Sequence, residues 1–236
     1  LAWVKELVKR LQDTQSKATG IWAYPETSGY EGGVSSLVGE PVLSDLSNTQ
    51  YALLGLKAAS RMGVRVSDSS LYTRVAEYLC KVQDTEGTAV QRITADVAKD
   101  KHRTTTFRRE EGYDRARGWT YTGHLHRAGS KEDMIPRTGS MTTATVASLV
   151  IAKSELAEVK KLPVNGELDV KINTAVWDGI AWEQDNFRVD ANPSAYAGNK
   201  DKGTSKAWHY YYLYGLERAG MLCETDFFGD KEWYPE

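Results

Sequence analysis

The chain has 236 residues, of which 30 are basic and 32 acidic, and its net charge is -2. That length can bury a sizeable core, and its hydrophobic share of 41% is typical of a folded protein. The near-neutral charge excludes a dedicated nucleic-acid binder, which needs a basic face. No apolar run approaches the roughly 20 residues that a membrane-spanning helix needs. We therefore expect neither a nucleic-acid partner nor a transmembrane segment.

The ends of the chain interrupt sequence patterns. Leu1 lies within an amphipathic pattern, without a charged leader before it, and the last residues are Pro235 and Glu236. We expect a single domain over residues 1–236, belonging to a longer protein, and the sequence does not indicate a cellular compartment. Cys80 and Cys223 lie far apart at no metal-like spacing, so we interpret both as buried small hydrophobic side chains.

Two kinds of predicted helix alternate along the chain. Leu1, Val4, Leu7, Val8 and Leu11 recur on one helix face, and similar one-sided patterns occur over 71–82 and 172–180. The segments 47–59, 140–156 and 207–221 are apolar almost all round, which is typical of buried helices. This alternation predicts outer and inner helices in two layers, although a helical bundle or a solenoid shows similar periodicity.

The predicted inner helices can be aligned with one another. Each has a small residue followed by leucine, at Gly55-Leu56, Ser148-Leu149 and Gly215-Leu216. Ser47 and Gln50 match a capping box at the start of the first inner helix. The alignment indicates three helical-hairpin repeats with connections of unequal length.

Loop residues carry a resemblance to a known family. Gln15, Gly20 and Trp22 match the pattern Q-x4-G-x-W, and Gln83 ends the second outer helix with a displaced partner at Gly118-Trp119. This resembles the QW motif of squalene and oxidosqualene cyclases, in which glutamine and tryptophan attach the end of an outer helix to the next inner helix. The segments 47–56 and 212–220 are similar to bacterial prenyltransferase and squalene-oxidase repeat proteins.

The resemblance to the terpenoid cyclase and protein prenyltransferase superfamily implies a fold. We expect an all-α chain, a partial α/α-toroid of about three helical-hairpin repeats with alternating outer and inner helices. Such an arc leaves an open apolar edge, which flanking repeats or a second copy in a homo-oligomer would cover.

The catalytic motifs of that superfamily are not found. There is no Asp-x-Asp-Asp acid, no Asp-Cys-Thr-Ala-Glu segment, and no pattern of zinc ligands around either cysteine. We therefore predict no metal and no cofactor, and enzymatic activity stays open.

The segment 85–137 is predicted to be an insertion rich in basic residues. Its cations include Lys99, Lys101, Arg103, Arg108, Arg109, Arg115, Arg117, Arg127 and Lys131. A basic patch can attract anions, but we favour a solvated loop whose charges pair internally. Val90, Ile93 and Val97 have the spacing of a short helix. His102, His124 and His126 are interpreted as loop histidines rather than as a metal site.

Candidate site residues come from the ends of the inner helices and from the aromatic side chains. Weak catalytic candidates are Asp45, Glu217 and His209, although an ion pair between Glu217 and Arg218 and a structural hydrogen bond of His209 are the simpler interpretations. Aromatic rings can contact an apolar, cationic or sugar ligand, or can fill the core. The predicted ligand-binding residues are Trp208, Tyr212, Trp119 and Tyr121.

Three functions are compatible with these patterns. The first is a squalene-cyclase-like domain that binds a hydrophobic or isoprenoid ligand, or a protein partner, on its concave face. The second is an enzyme of isoprenoid or polysaccharide chemistry whose site is completed by other segments. The third is a structural assembly module.

Overall fold

A computed structural model describes residues 1–23, 45–97, 105–121, 136–195 and 202–233. Within these ranges the chain forms helices α1 to α6 and strands β1 to β7. The helices are α1 (Ala2–Thr14), α2 (Leu46–Arg61), α3 (Ser70–Lys81), α4 (Gly139–Glu158), α5 (Glu167–Asn186) and α6 (His209–Leu222). The strands are β1 (Ala89–Val97), β2 (Thr105–Arg115), β3 (Arg137–Thr138), β4 (Asn192–Ala195), β5 (Lys202–Ser205), β6 (Phe227–Phe228) and β7 (Lys231–Glu232).

The strands form small antiparallel sheets in the connections between helices. In the described ranges, β1 pairs with β2, β4 pairs with both β3 and β5, and β6 pairs with β7. The prediction of an all-α chain folded as a partial α/α-toroid is therefore wrong, and the fold is mixed α/β. The six helices were visible as local periodicity, whereas the strands pair with partners that local periodicity does not reveal.

The largest difference from the prediction is the β1–β2 hairpin. The apolar spacing of Val90 and Ile93 fits a helix, but β1 forms because β2 offers an antiparallel partner, which includes the strand-favouring residues Thr105, Thr106, Phe107 and Tyr113. The register shifts between Gln91 and Ile93, so the hairpin contains a bulge, and Gly112 lies nearby with a φ of 105°. The predicted loop is thus an ordered hairpin over most of its described length.

Helix α4 is the centre of the molecule. It packs against α2, α3, α5 and α6, and buried residues cover all sides of its first three turns. Thr143 and Ser148 donate their hydroxyl protons to carbonyls one turn earlier, at 2.8 and 2.7 Å, which removes the cost of burying these polar groups. The prediction of a buried helix at this position is confirmed.

The other helices differ in part from their predicted roles. Helix α6 buries one side, through residues such as Tyr212 and Leu216, and α2 buries one face in the same way. Helix α5, predicted to be an exposed outer helix, is buried along most of its C-terminal half, including Asp178 and Glu183. Packing against the hairpin and β6 accounts for this burial, because both elements cover α5.

Helix α2 begins earlier than the predicted capping box. The carboxylate of Asp45 is the N-cap and accepts hydrogen bonds from the backbone N–H groups of Ser47 and Asn48, at 2.8 and 3.0 Å. Asp45 thereby satisfies two of the N–H groups that a helix start leaves without partners. The prediction of a capping box at Ser47 and Gln50 was therefore wrong. The side chain of Gln50 instead contacts α6.

The first glutamine and tryptophan motif joins three helices. The amide of Gln15 donates to the carbonyl oxygens of Gly20 and Leu71, at 2.7 and 3.0 Å, which links α1 to α3. The indole N–H of Trp22 donates to the carbonyl of Leu11 at 2.8 Å, and its backbone N–H donates to the Thr49 hydroxyl of α2 at 3.1 Å. The motif therefore attaches the end of α1 to α2 and α3.

The second motif makes the same bonds in the same order. The amide of Gln83 donates to the carbonyls of Arg117 and Ala175, both at 3.0 Å, which links α3 to α5. The indole of Trp119 donates to Leu79 at 2.9 Å, and its backbone N–H donates to the Thr142 hydroxyl of α4 at 3.3 Å. The predicted pairing of Gln83 with the displaced Gly118-Trp119 is confirmed by these contacts.

The hydrogen bonds also agree with the alignment of the inner helices. Thr49 lies six residues before Gly55, and Thr142 lies six residues before Ser148. Both threonines accept the backbone N–H of a motif tryptophan, and the leucines that follow the small residues are fully buried. The helix pairs α1–α2 and α3–α4 are therefore structural repeats, although the connection between α3 and α4 contains the β1–β2 hairpin.

In the ranges that the structure describes, no helix combines the length and the apolar surface that crossing a membrane requires.

We predict that Gln83→Leu lowers the free energy of unfolding by about 1–3 kcal/mol, because two carbonyls near the buried amide lose a donor. Urea unfolding followed by circular dichroism measures this change. Gln12→Leu is the matched control, since both hydrogen bonds between Gln12 and Ser67 are exposed, and should change stability by about 0.5 kcal/mol or less. Equal effects of the two substitutions would contradict the role assigned to Gln83.

Candidate functional site

The predicted ligand-binding residues occupy different environments. Trp119 and Tyr212 are fully buried, and each makes a hydrogen bond within the core. Trp208 is the N-cap of α6 with a left-handed φ of 59°, and 75% of its surface is exposed. Tyr121 lies beside the start of α2. The structure thus separates the four residues and leaves Trp208 and Tyr121 with exposed surface.

Tyr121 and Asp45 are brought together. The phenol of Tyr121 donates to the second carboxylate oxygen of Asp45 at 2.6 Å. Because the other oxygen caps α2, the Asp45 carboxylate is held by both the helix start and the phenol. Asp45 is also almost completely buried, so its contacts are structural in this arrangement.

Tyrosines of α2 and α6 form a partly exposed aromatic cluster, which we call the tyrosine face and define as Tyr51, Tyr211 and Tyr214. The ring of Tyr51 lies 5.9 Å from that of Tyr211 and 6.2 Å from that of Tyr214, measured between centroids. The Tyr51 and Tyr214 planes are within 18° of parallel. Tyr51 is 54% exposed and Tyr214 is 37% exposed. Aromatic surface therefore remains available to a ligand.

Gln50 fixes one edge of the tyrosine face. The phenol of Tyr211 donates to the side-chain oxygen of Gln50 at 2.7 Å, whereas the Gln50 amide nitrogen is buried without a hydrogen-bond partner. Burial raises the pKa of the Tyr211 phenol, and the nearby Tyr51 and Asp45 raise it further. Tyr211 is therefore a neutral hydrogen-bond donor over the ordinary pH range.

Glu217 and Arg218 lie one turn beyond Tyr214. Their side chains form an ion pair with an Nη2 to Oε1 distance of 2.5 Å, as the sequence indicated. The Arg218 guanidinium also lies over the Tyr214 ring, 5.5 Å from its centroid, and its Nε atom is buried without a partner. A cation therefore borders the tyrosine face at Tyr214, and Glu217 neutralises it.

His209 has the structural role that was the simpler interpretation. Its Nε2 atom is 2.9 Å from the carbonyl oxygen of Val189, and its ring stacks on Tyr210 at a centroid distance of 5.7 Å. These contacts place the first turn of α6 against the segment before β4. Neither contact involves the tyrosine face.

A buried acid lies on the opposite side of α6. Glu183 of α5 has no exposed surface, accepts a hydrogen bond from the Tyr212 phenol at 3.3 Å, and leaves its other oxygen without a partner. Burial raises the pKa of this carboxyl well above its usual range, while the bond from Tyr212 lowers it only in part. Glu183 is therefore a neutral carboxylic acid over a wider pH range than an exposed glutamate.

Charges in the described part of the insertion mostly pair within the molecule. Arg108 pairs with Asp96 at 2.8 Å, Arg117 contacts the buried Asp178, and Arg92 pairs with Asp114 while lying over the Trp177 ring. These pairs agree with internal pairing rather than with a free basic patch. The cations Lys99, Lys101, Arg103, Arg127 and Lys131 lie outside the described residues.

Over the described ranges, no group of three or more histidine, cysteine or acidic residues could hold a metal ion. His102, His124 and His126 lie outside these ranges. Burial raises the pKa of both the Cys80 and Cys223 thiols to about 12, so neither is a ready thiolate ligand near neutral pH.

Tyr51 and Gln50 are not among the predicted site residues, although the sequence contains a signal for Tyr51. Aligning Gly55 with Gly215 places Tyr51 opposite Tyr211, because each tyrosine lies four residues before its glycine. Two tyrosines at equivalent positions of neighbouring helices could have indicated a shared surface. Gln50 was assigned to a capping box instead.

Comparisons of the chain with protein-family models, with curated proteins and with solved structures found no match.

We predict that Glu183→Gln stabilises the protein at pH 7 to 8 and has little effect below about pH 4.5, where an exposed glutamate is also protonated. The pKa of Glu183 is raised in the folded state. The neutral carboxyl therefore does not lower the stability of the wild type at low pH, and stability is lost as the pH rises from the unfolded-state pKa towards the folded-state pKa. The advantage of glutamine should grow by up to about 1.4 kcal/mol per pH unit in that window. Urea unfolding at several pH values measures it.

The control for this prediction is Glu217→Gln. Glu217 is partly exposed and paired with Arg218, so its replacement should change stability by about 1 kcal/mol or less. A Glu183→Gln variant that is destabilised to the same extent at every pH would show that the carboxyl is not a neutral buried acid.

Proposed function

We propose that the chain is a binding module for an elongated hydrophobic ligand of the isoprenoid type, which lies against the tyrosine face. The observation that carries this proposal is the ring cluster in which the exposed Tyr51 and Tyr214 pack beside the half-buried Tyr211, with ring centroids 5.9 and 6.2 Å apart in the two contacts of Tyr51. Contiguous exposed apolar surface on a folded protein is typical of ligand-binding and interaction sites.

The surface next to the tyrosine face supports an extended ligand. Helical spacing places Tyr51, Ala58 and Met62 along one exposed side of α2, and Tyr214 and Met221 along one exposed side of α6. From Tyr51 to Met62 the helix rises about 16 Å, at 1.5 Å per residue. Methionine adapts its shape to apolar ligands, which suits the far end of such a surface.

Polar groups at the other end would orient the ligand. Tyr121, Asp45 and Gln50 lie near the start of α2 and hold hydroxyl, carboxylate and amide groups close to Tyr211. Of these groups Tyr121 is half-buried, so the polar end of a hydrophobic ligand would meet its phenol, while the buried Asp45 and Gln50 position the phenols of Tyr121 and Tyr211. The phenol rings would then contact its apolar chain.

The resemblance to the terpenoid cyclase and protein prenyltransferase superfamily is consistent with an isoprenoid ligand. The glutamine and tryptophan contacts that carry this resemblance are architectural and bring no reacting group to the tyrosine face. In the described residues, the buried acid Glu183 lies in the core, away from the exposed rings. The proposal is therefore limited to binding.

We predict that the chain binds farnesol and that Tyr51→Ala combined with Tyr214→Ala weakens this binding by about tenfold or more. Each removed ring takes away apolar contact area worth about 1 kcal/mol. Isothermal titration calorimetry with farnesol below its solubility limit measures the change. Cellohexaose is titrated in parallel to test a sugar ligand on the same rings.

Two tyrosine variants serve as controls. Tyr210→Ala changes an 86% exposed tyrosine of the same helix, and Tyr113→Ala changes one on the hairpin. Both should bind farnesol like the wild type. Binding of cellohexaose instead of farnesol, or farnesol binding that is lost equally in all variants, would refute the proposed ligand class. A stable oligomer that dissociates only in the Tyr51 and Tyr214 variant would instead support an assembly role.

A further inference from the structure

Two half-buried phenols lie at the polar end of the tyrosine face. Tyr121 lies at the start of α2, where its backbone carbonyl accepts the N–H of Leu46 at 3.2 Å and its phenol contacts Asp45 at 2.6 Å. Tyr211 of α6 contacts α2 further along, through the hydrogen bond of its phenol to Gln50 at 2.7 Å. Asp45 and Gln50 are five residues apart, which is about 7.5 Å along the helix axis.

The proton of the Tyr121 phenol is held by Asp45. One carboxylate oxygen of Asp45 accepts the backbone N–H groups of Ser47 and Asn48, and the other accepts the side-chain amide of Asn48 at 3.1 Å. Since N–H groups can only donate, these contacts hold Asp45 as an ionised carboxylate, which can only accept. Tyr121 is therefore the donor in its hydrogen bond with Asp45.

The proton of the Tyr211 phenol is held in the same way. Its acceptor is the side-chain oxygen of Gln50. A phenol has a single proton, so towards a ligand both Tyr121 and Tyr211 act through the lone pairs of their oxygens. A ligand group that meets these phenols must supply the proton of the hydrogen bond itself.

The charges near these phenols do not favour an anion. The hydrogen-bond donors to the carboxylate of Asp45 are neutral groups in the described part of the chain, so no cation neutralises it there. Arg218 borders the tyrosine face but is paired with Glu217, and Lys57, further along α2, is paired with Glu155 at 2.7 Å. The balance of these charges is negative, and an anionic ligand end would be repelled by Asp45.

We infer that the tyrosine face selects an isoprenoid alcohol, whose hydroxyl donates its proton to the phenol oxygens of Tyr121 and Tyr211 while its chain lies against Tyr51 and Tyr214. An ether or an ester end can only accept and finds no proton here, and a carboxylate or a diphosphate is also repelled by Asp45. This inference rests on the isoprenoid ligand proposed above and adds the chemical class of its polar end.

An ammonium end would donate as well, but the site gives it little in return. The carboxylate of Asp45 is buried, with only 2% of the residue exposed, so an ammonium would exchange its hydration for neutral phenol oxygens. The loss of that hydration is costly, whereas a hydroxyl gives up far less when it enters. The alcohol is therefore the favoured donor.

Four ligands with the same farnesyl chain test this selection at pH 7.5: farnesol, farnesyl methyl ether, farnesoate and farnesylamine. Equilibrium dialysis with quantification by mass spectrometry measures each Kd below the solubility limit. Farnesol should bind about fivefold more tightly than the ether, which is the usual net value of one hydrogen bond. Farnesoate should bind more weakly than the ether, and farnesylamine no more tightly than farnesol.

Tyr121→Phe and Tyr211→Phe, made singly and together, remove the acceptor oxygens and keep the rings. The preference for farnesol over the ether should fall in each single variant and disappear in the double variant, while the Kd of the ether stays unchanged. Tyr113→Phe, at a 71% exposed tyrosine of the hairpin, is the control and should keep the wild-type preference. The comparison of the four ligands on the wild-type protein decides the question even where a variant does not fold.

Two patterns of results would overturn the inference, and they can be told apart. If the ether, farnesoate or farnesylamine binds as tightly as farnesol or more tightly, and all binding is lost when Tyr51 and Tyr214 are replaced by alanine, the alcohol is refuted and the tyrosine face stays the ligand site. If neither farnesol nor the ether binds, or if the double alanine variant still binds both, the alcohol and the proposed function are refuted together.

Discussion

The constraint on which the structure depends is the need to satisfy carbonyl groups at the ends of α1 and α3. A helix leaves its last four carbonyls without partners inside the helix, and burying them unpaired costs free energy. Here the indoles of Trp22 and Trp119 donate to Leu11 and Leu79, each within the last turn of its helix. The tryptophans also pack into the core, so one side chain satisfies the helix end and attaches the next helix to it.

The hydrogen bonds from the tryptophans fix the ends of α1 and α3, but they do not fix the length of the chain that connects each of these helices to the next one. Trp22 follows Gln15 by seven residues, whereas Trp119 follows Gln83 by 36, yet the hydrogen bonds are equivalent. The β1–β2 hairpin fits within the longer connection because only its base must meet the core. Asp178 holds that base, accepting the backbone N–H of Arg115 and the guanidinium of Arg117, both at 2.7 Å. A fold with repeated helices can therefore contain strands, which is why helical periodicity alone led to an all-α prediction.

Sequence patterns predicted the parts of the molecule that depend on local interactions. The positions of α1 to α6 and the buried character of α4 followed from periodicity, and the pairing of Gln83 with Trp119 followed from residue types. The N-cap at Asp45 was missed because Ser47 offered a competing signal two residues later. The strands form by pairing between segments that are distant in the sequence. The tyrosine face forms by contact between α2 and α6, so neither follows from a local pattern. A single helix pattern could not show whether Tyr212 or Tyr211 faces the core.

The rotation of α6 about its axis determines that Tyr212, and not Tyr211, faces the core. Tyr212 is fully buried against Gly139, where a Cβ atom would lie 2.5 Å from the Tyr212 ring, and its phenol donates to Glu183. With Tyr212 anchored in this way, the helix turns Tyr211 towards Gln50 and Tyr214 towards Tyr51. The buried acid is unfavourable as a charge, but as a neutral acceptor it sets the orientation of α6. The exposed tyrosine face is thus positioned from the core, through Glu183 and Tyr212.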